Sequence, residues 1–440
     1  MLMTVNPRHR PARQMINPFQ ICIFEDDRAN DLTPYQITRP VYTVPCGSYT
    51  LVERIQRYLP DHTITLLCHQ HHEPFVKQRY SNLNINFLNK SLPTLFINGA
   101  VSFSNRQFND LLSNIDAEKQ MVFIHHNTVV AIYSPNNQSD DIFSLLMKRP
   151  SFDAILEITR NSSVVEQKTD LYLVKYWWDY ILHLSSHLHA DFNDFAKRSF
   201  IEGHVSGFCK LINEHNMYID KHATIHDFTV LDASNGPIFI DAHVVIEPFS
   251  RIVGPCFIGS DCTIKSHAQL NTVHIGRHCK VGGEVSRSII QSYSNKAHHG
   301  FLGDSIVGEW VNLGAGTTTS NLKLSYGTIQ SPALSHQSDI QTEQQFLGAI
   351  FGDFVKTGIN TSFECGAVIS SCSSIYGTQP QSKFIPPFTW GSTDNYSHQQ
   401  IVALIESINR MMTRRSLSLT EDIKMVLKVL YDQVKHPTAH

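Results

Sequence analysis

The sequence predicts an α/β domain followed by a parallel β-helix, with helices at the C-terminus. Three observations carry that reading. Ile240, Ile246, Ile252, Ile258, Ile264 and Leu270 stand at strict six-residue intervals, a period that suits neither a helix nor an ordinary strand and marks short strands turning a corner every hexad. The fifth place of each hexad carries Val244, Ser250, Cys256, Cys262 and Ala268, modest side chains where a large one would strike the neighbouring rung. Upstream, short apolar runs alternate with helix-like stretches, as an α/β domain requires.

Taken in order, residues 1–18 are polar and contain proline. They read as a disordered leader, with Met15 an alternative start. An α/β domain is set at 19–200: ICIF, ITLLC, TLFING and MVFIHH read as strands, and SYTLVERIQRYL as a helix. The segment DLYLVKYWWDYILHLSSHLHADF reads as a strand passing into an amphipathic helix that bridges to the next domain. The β-helix domain is set at 223–393, with clear periodicity from about 223 to about 380. Its phase resumes at Ile275 and Val281, at Leu313, and at Phe351, Thr357, Phe363, Ile369 and Ile375. Thr357 is a polar intruder that needs a hydrogen-bond partner inside. Residues 394–440 read as two helices, the second starting at Ser418 or Thr420, placed to cap the open end of the coil.

Composition narrows the function. Lys and Arg number 36 against 39 acidic residues, without a long run of one sign, so a nucleic-acid surface is not expected. No run approaches the ~18 apolar residues of a membrane span, and the opening lacks the apolar core of a secretory signal. Nine scattered cysteines in apolar contexts read as reduced core residues, so a cytoplasmic location is expected.

The stretch EVSRSIIQSYSNKAHHGFLGDSIVGEWVNLGAG, followed by SNLKLSYGT, resembles the acetyltransferase half of the bifunctional N-acetylglucosamine-1-phosphate uridyltransferase/glucosamine-1-phosphate N-acetyltransferase family. Upstream, FEDDRANDLTPYQITRPVYTVPCG resembles the degenerate nucleotidyltransferase-like half of a divergent bacterial branch of that family. The resemblance runs from Phe19 to the C-terminal helices. It implies a nucleotidyltransferase-like first domain, a left-handed coil, a homotrimer built around the coils, and an acetyl-CoA donor site between neighbouring subunits.

Acyl transfer from a thioester needs a base for the acceptor proton, and imidazole suits because its pKa lies near neutrality. In the family motif the basic histidine lies four residues before the leucine of Leu-Gly-Asp. Leu302-Gly303-Asp304 then places it at His298, whereas counting from Lys296-Ala297 favours His299. Asn312, Asn321 and Glu284 match acceptor-site residues of the family, although Asn312 also suits a ladder between rungs. Gly314, Ala315 and Gly316 admit a pantetheine arm along the main chain or simply shape a corner.

The chain also departs from the family pattern. The expected tyrosine is Phe301, the expected lysine is Ser286 with Arg287 beside it, and the expected arginine is at best Lys265. These changes dilute the phosphate grip, so the reaction class is firmer than the substrate, a sugar phosphate or sugar nucleotide. In the first domain, Glu25-Asp26-Asp27-Arg28 replaces the glycine-rich phosphate loop and Asn98-Gly99-Ala100 replaces the metal site. There Arg39 and Asn98 are candidate substrate contacts, and Asp26 and Asp27 candidate Mg²⁺ ligands. Cys68-His69-Gln70-His71-His72 lacks a second ligand pair at zinc-finger spacing. The expected function is acetyl transfer from acetyl-CoA to a sugar, with a divergent nucleotidyltransferase domain. The alternative is a non-catalytic sugar-nucleotide-binding or assembly protein.

Overall fold

The computed structural model describes residues 19–32, 34–135, 139–166, 171–196, 200–333 and 339–436; the leader at 1–18 lies outside them. The first domain is built on a seven-stranded sheet. Its order is Asn84–Ile85, Ile64–Leu66, Gln20–Phe24, Thr94–Asn98, Thr128–Ser134, Met121–His125 and Ser163–Glu166, with Thr128–Ser134 antiparallel to both its neighbours. Gln20–Phe24 lies between two parallel partners reached by opposite crossovers, so its C-terminal end opens on the crevice where such sheets bind ligands. The expected helix runs Leu51–Tyr58. It starts where it does because the Thr50 hydroxyl accepts from the Glu53 N–H and the Glu53 carboxylate accepts from the Thr50 N–H.

The second domain is a three-sided, left-handed parallel β-helix. Its register carries the hexad directly: Ile240 lies against Ile258, Ile246 against Ile264 and Ile252 against Leu270. Three hexads therefore make one turn, and the aliphatic ladders fill one continuous core. The coil begins earlier than the periodicity, with Phe200–Ile201 and His204–Val205 pairing onto the following turn. Half-buried positions in that first turn make weak demands on side chains, so the hexad is hard to see there. Thr357 is inward, and its hydroxyl accepts from the Gly314 N–H at 2.9 Å and bonds the Thr317 hydroxyl at 2.7 Å.

One face of the coil is covered. The bridging helix, Asp179–Phe195, contributes Leu184 and Leu188 to a cluster with the outward residues Ile289, Ile306, Ile350 and Val368. The domains are also tied by charge: buried Arg39 grips buried Asp353 on the coil with Nε at 2.7 Å and Nη2 at 2.8 Å.

The C-terminal helices are Ile401–Thr413 and Glu421–Lys435, and the second is capped by Thr420, whose hydroxyl accepts from the Ile423 N–H. They do not cover the coil's end. They pack along one edge, against Trp310, Phe354, Cys372 and Phe388, because these successive corner residues form an apolar stripe. The end is finished instead by the antiparallel pair Thr389–Ser392 and Asn395–His398.

Candidate functional site

His298 and His299 lie in the turn between the second face, left at Lys296, and the third face, entered at Phe301. Both are exposed in the single chain. The turn is held from the coil that follows, where the Gly316 N–H donates to the His299 carbonyl at 3.2 Å. Gly314, Ala315 and Gly316 form the matching corner of that coil. They are packed on the next one: the Gly314 N–H reaches the Thr357 hydroxyl, and the Ala315 carbonyl accepts from the Asn360 N–H at 2.7 Å.

On the third face Glu284 pairs in register with Phe301. Phe301 folds its ring over Gly303, where a Cβ would stand 2.4 Å from the ring and 3.0 Å from Asn321 Nδ2; only glycine permits this approach. Asn321 donates to Asp304 at 2.7 Å, and Arg287 Nε contacts the same carboxylate at 2.8 Å. Burial raises the Asp304 pKa, opposed by Asn321 and Arg287. Asp304 thus orients both an amide and a guanidinium at the rim of the site, an arrangement that sequence reasoning missed although Asp304 ends the quoted Leu-Gly-Asp motif.

Glu284, Phe301 and Asn321 come together on the third face, close to the histidine turn. Asn312 does not join them. It stands on the second face between Asn295 and Lys356, with its Oδ1 3.5 Å from Asn295 Nδ2, an arrangement that suits laddering. Lys265 is ion-paired with Glu247, which compensates its charge.

The crevice of the first domain is satisfied from within. Asp26 accepts from its own helix N–H at Arg28, pairs with the Arg28 guanidinium and accepts from Asn98 Nδ2 at 2.7 Å. Fully buried Asn98 also donates to the Val129 carbonyl and accepts from the Ala100 N–H, so it has little left for a substrate. Glu25 accepts from the Val41 N–H and pairs with Arg149. Arg39 is not in the crevice, contrary to the phosphate role expected of it, because Asp353 holds it against the coil. Asp27 is exposed, its pKa raised by partial burial and then by Asp26. The two aspartates therefore do not form the carboxylate pair that Mg²⁺ would need. Among the described residues no group of three or more His, Cys, Asp or Glu side chains converges as a metal site, the Cys68–His72 run included.

Residues 21–199 match the family described as sugar nucleotidyl transferase. A bifunctional protein GlmU from Rippkaea orientalis is 34% identical over 116 residues, 26% of this chain and 20% of that protein. A bifunctional sugar-1-phosphate nucleotidylyltransferase/acetyltransferase from Sulfurisphaera tokodaii is 34% identical over 99 residues, 22% of this chain and 24% of that protein. These matches support a likeness to a divergent GlmU-like family. The chain spans only about a fifth to a quarter of the length of these curated relatives. Among solved structures, the UDP-N-acetylglucosamine acyltransferase of Francisella novicida aligns over 52% of this chain and 78% of its own, at 14% identity and a TM-score of 0.33.

Proposed function

We propose that this protein is a transferase of sugar-nucleotide metabolism whose coil moves an acetyl group from acetyl-CoA to a sugar phosphate or sugar nucleotide. The observation that carries the proposal is the histidine turn, pinned to the coil and set beside a face bearing Glu284, Phe301 and Asn321. His298 takes the proton of the acceptor amine or hydroxyl as that atom attacks the thioester carbonyl. Main-chain N–H groups steady the tetrahedral oxyanion. Collapse breaks the carbon–sulfur bond, and the imidazolium returns the proton to the departing coenzyme A thiolate.

The donor lies between copies of a homotrimer. That arrangement accounts for Asn312 and Asn321 occupying different faces of one chain, since each would serve a different junction. The internally bonded crevice of the first domain disfavours nucleotidyl transfer there. We place the protein in the cytoplasm, where its nine free cysteines stay reduced; no helix among the described residues is long and apolar enough to cross a membrane.

The test is coenzyme A release from acetyl-CoA with a panel of amino-sugar phosphates and nucleotide sugars. His298→Ala should lower acceptor-dependent release by about 10²–10⁴-fold, and His299→Ala by only a few-fold. The reverse order would move the base to His299. Release indifferent to both changes and to acceptor would end the acyl-transfer proposal.

A further inference from the structure

Lys296 occupies an interior position of the coil, with Val281 before it in the column and Leu313 after it, yet it brings an ammonium where its neighbours are aliphatic. Its residue is 3% exposed. The reason it fits lies one coil earlier. Between interior Val281 and interior Val285 stand only Gly282, Gly283 and Glu284, whereas the following coil uses the five residues 297–301 to pass from Lys296 to Leu302. The shortened corner brings the turn at 297–300 directly against the two glycines. A Cβ at Gly282 would stand 2.7 Å from the Ala297 carbonyl, and one at Gly283, whose φ is +71°, would stand 3.0 Å from both the His298 carbonyl and Lys296 Nζ.

The lysine head closes this corner. Nζ donates to the Gly282 carbonyl at 2.9 Å and to the His298 carbonyl at 2.7 Å. Lys296 therefore ties the His298 peptide to the coil before it, while Gly316 ties the His299 peptide to the coil after it. Burial pushes the ammonium pKa down to about 8; an aliphatic residue would avoid that cost.

We propose that Lys296 is a positioning residue for the imidazole base, an internal strut that fixes the His298 carbonyl and so the direction in which the His298 side chain leaves the corner. Its catalytic half rests on the acyl-transfer reading, and its structural half does not. The test uses the full chain carrying Lys296→Met, which keeps the length and apolar stem of the side chain and removes the donor. Three results are expected: an unfolding midpoint at pH 7 no lower than native, exchange of the Gly316 amide, which bonds the His299 carbonyl, faster by about tenfold, and kcat lower by about tenfold with the KM for acetyl-CoA within about twofold. Lys296→Gln, which retains a donor, should recover part of both the protection and the rate. Unchanged exchange in Lys296→Met, or faster exchange with undiminished kcat, would overturn the proposal. Absence of acceptor-dependent transfer in the native protein would instead remove the functional reading, and the exchange comparison would still decide whether Lys296 is the strut.

Discussion

Arg39→Met asks how firmly the two domains are joined. Asp353 is buried with Arg39 on it twice, and it also accepts from the Thr38 hydroxyl at 2.6 Å and the Glu309 N–H at 2.7 Å. Taking away the guanidinium leaves a carboxylate in the interface with half of those donors. Loss of one partner from a buried ion pair costs about 3–5 kcal/mol. Arg39→Met combined with Asp353→Leu removes the stranded charge but orphans the Thr38 hydroxyl and the Glu309 N–H, at about 1 kcal/mol each. The double variant should therefore be the more stable of the two, by about 1–3 kcal/mol on those figures.

Urea unfolding, followed in each domain separately, measures both. Acid adds a second signature. Burial alone would raise the Asp353 pKa, but Arg39 and the hydrogen bonds from Thr38 and Glu309 outweigh it and hold the pKa below the usual range. The pair's contribution is thus present above the unfolded value of about 3.9 and lost as pH falls through the lowered folded value. Without Arg39 the carboxyl pKa rises, the sign reverses, and the deficit of the variant should shrink between about pH 7 and pH 4. A single variant within about 1 kcal/mol of native, or a double variant less stable than the single, would refute the reasoning.

Two further outcomes follow from neighbouring sites. Asp304→Asn keeps the shape but loses the charge facing Arg287, and should raise the acceptor KM about tenfold with little change in the KM for acetyl-CoA, read from initial rates. Thr357→Val is nearly isosteric but leaves the buried Thr317 hydroxyl and the Gly314 N–H without the Thr357 hydroxyl; it should cost about 1–3 kcal/mol in the urea midpoint.

The amino-acid sequence alone determined the coil and the turn that bears the candidate base. Each rung repeats the same steric demand, so Ile240 through Leu270 announce it by spacing, and the Leu-Gly-Asp motif locates the histidines. Even the covered face was legible in part: Ile289-Ile290, Ile306-Val307 and Val368-Ile369 place an apolar residue outward as well as inward, which only a face buried on both sides requires. Tertiary structure decided where the charges go. Arg39 in a proline-flanked loop looks like a phosphate ligand until Asp353, over three hundred residues later, claims it, and Asn98 and Asp26 look available until they are seen bonded to each other. Lys296 gave no sign that it points inward, because an inward lysine depends on a corner shortened in a different coil. Local sequence encodes repeating contacts between adjacent rungs. A charge's partner is set by long-range packing, which brings together residues that no spacing relates.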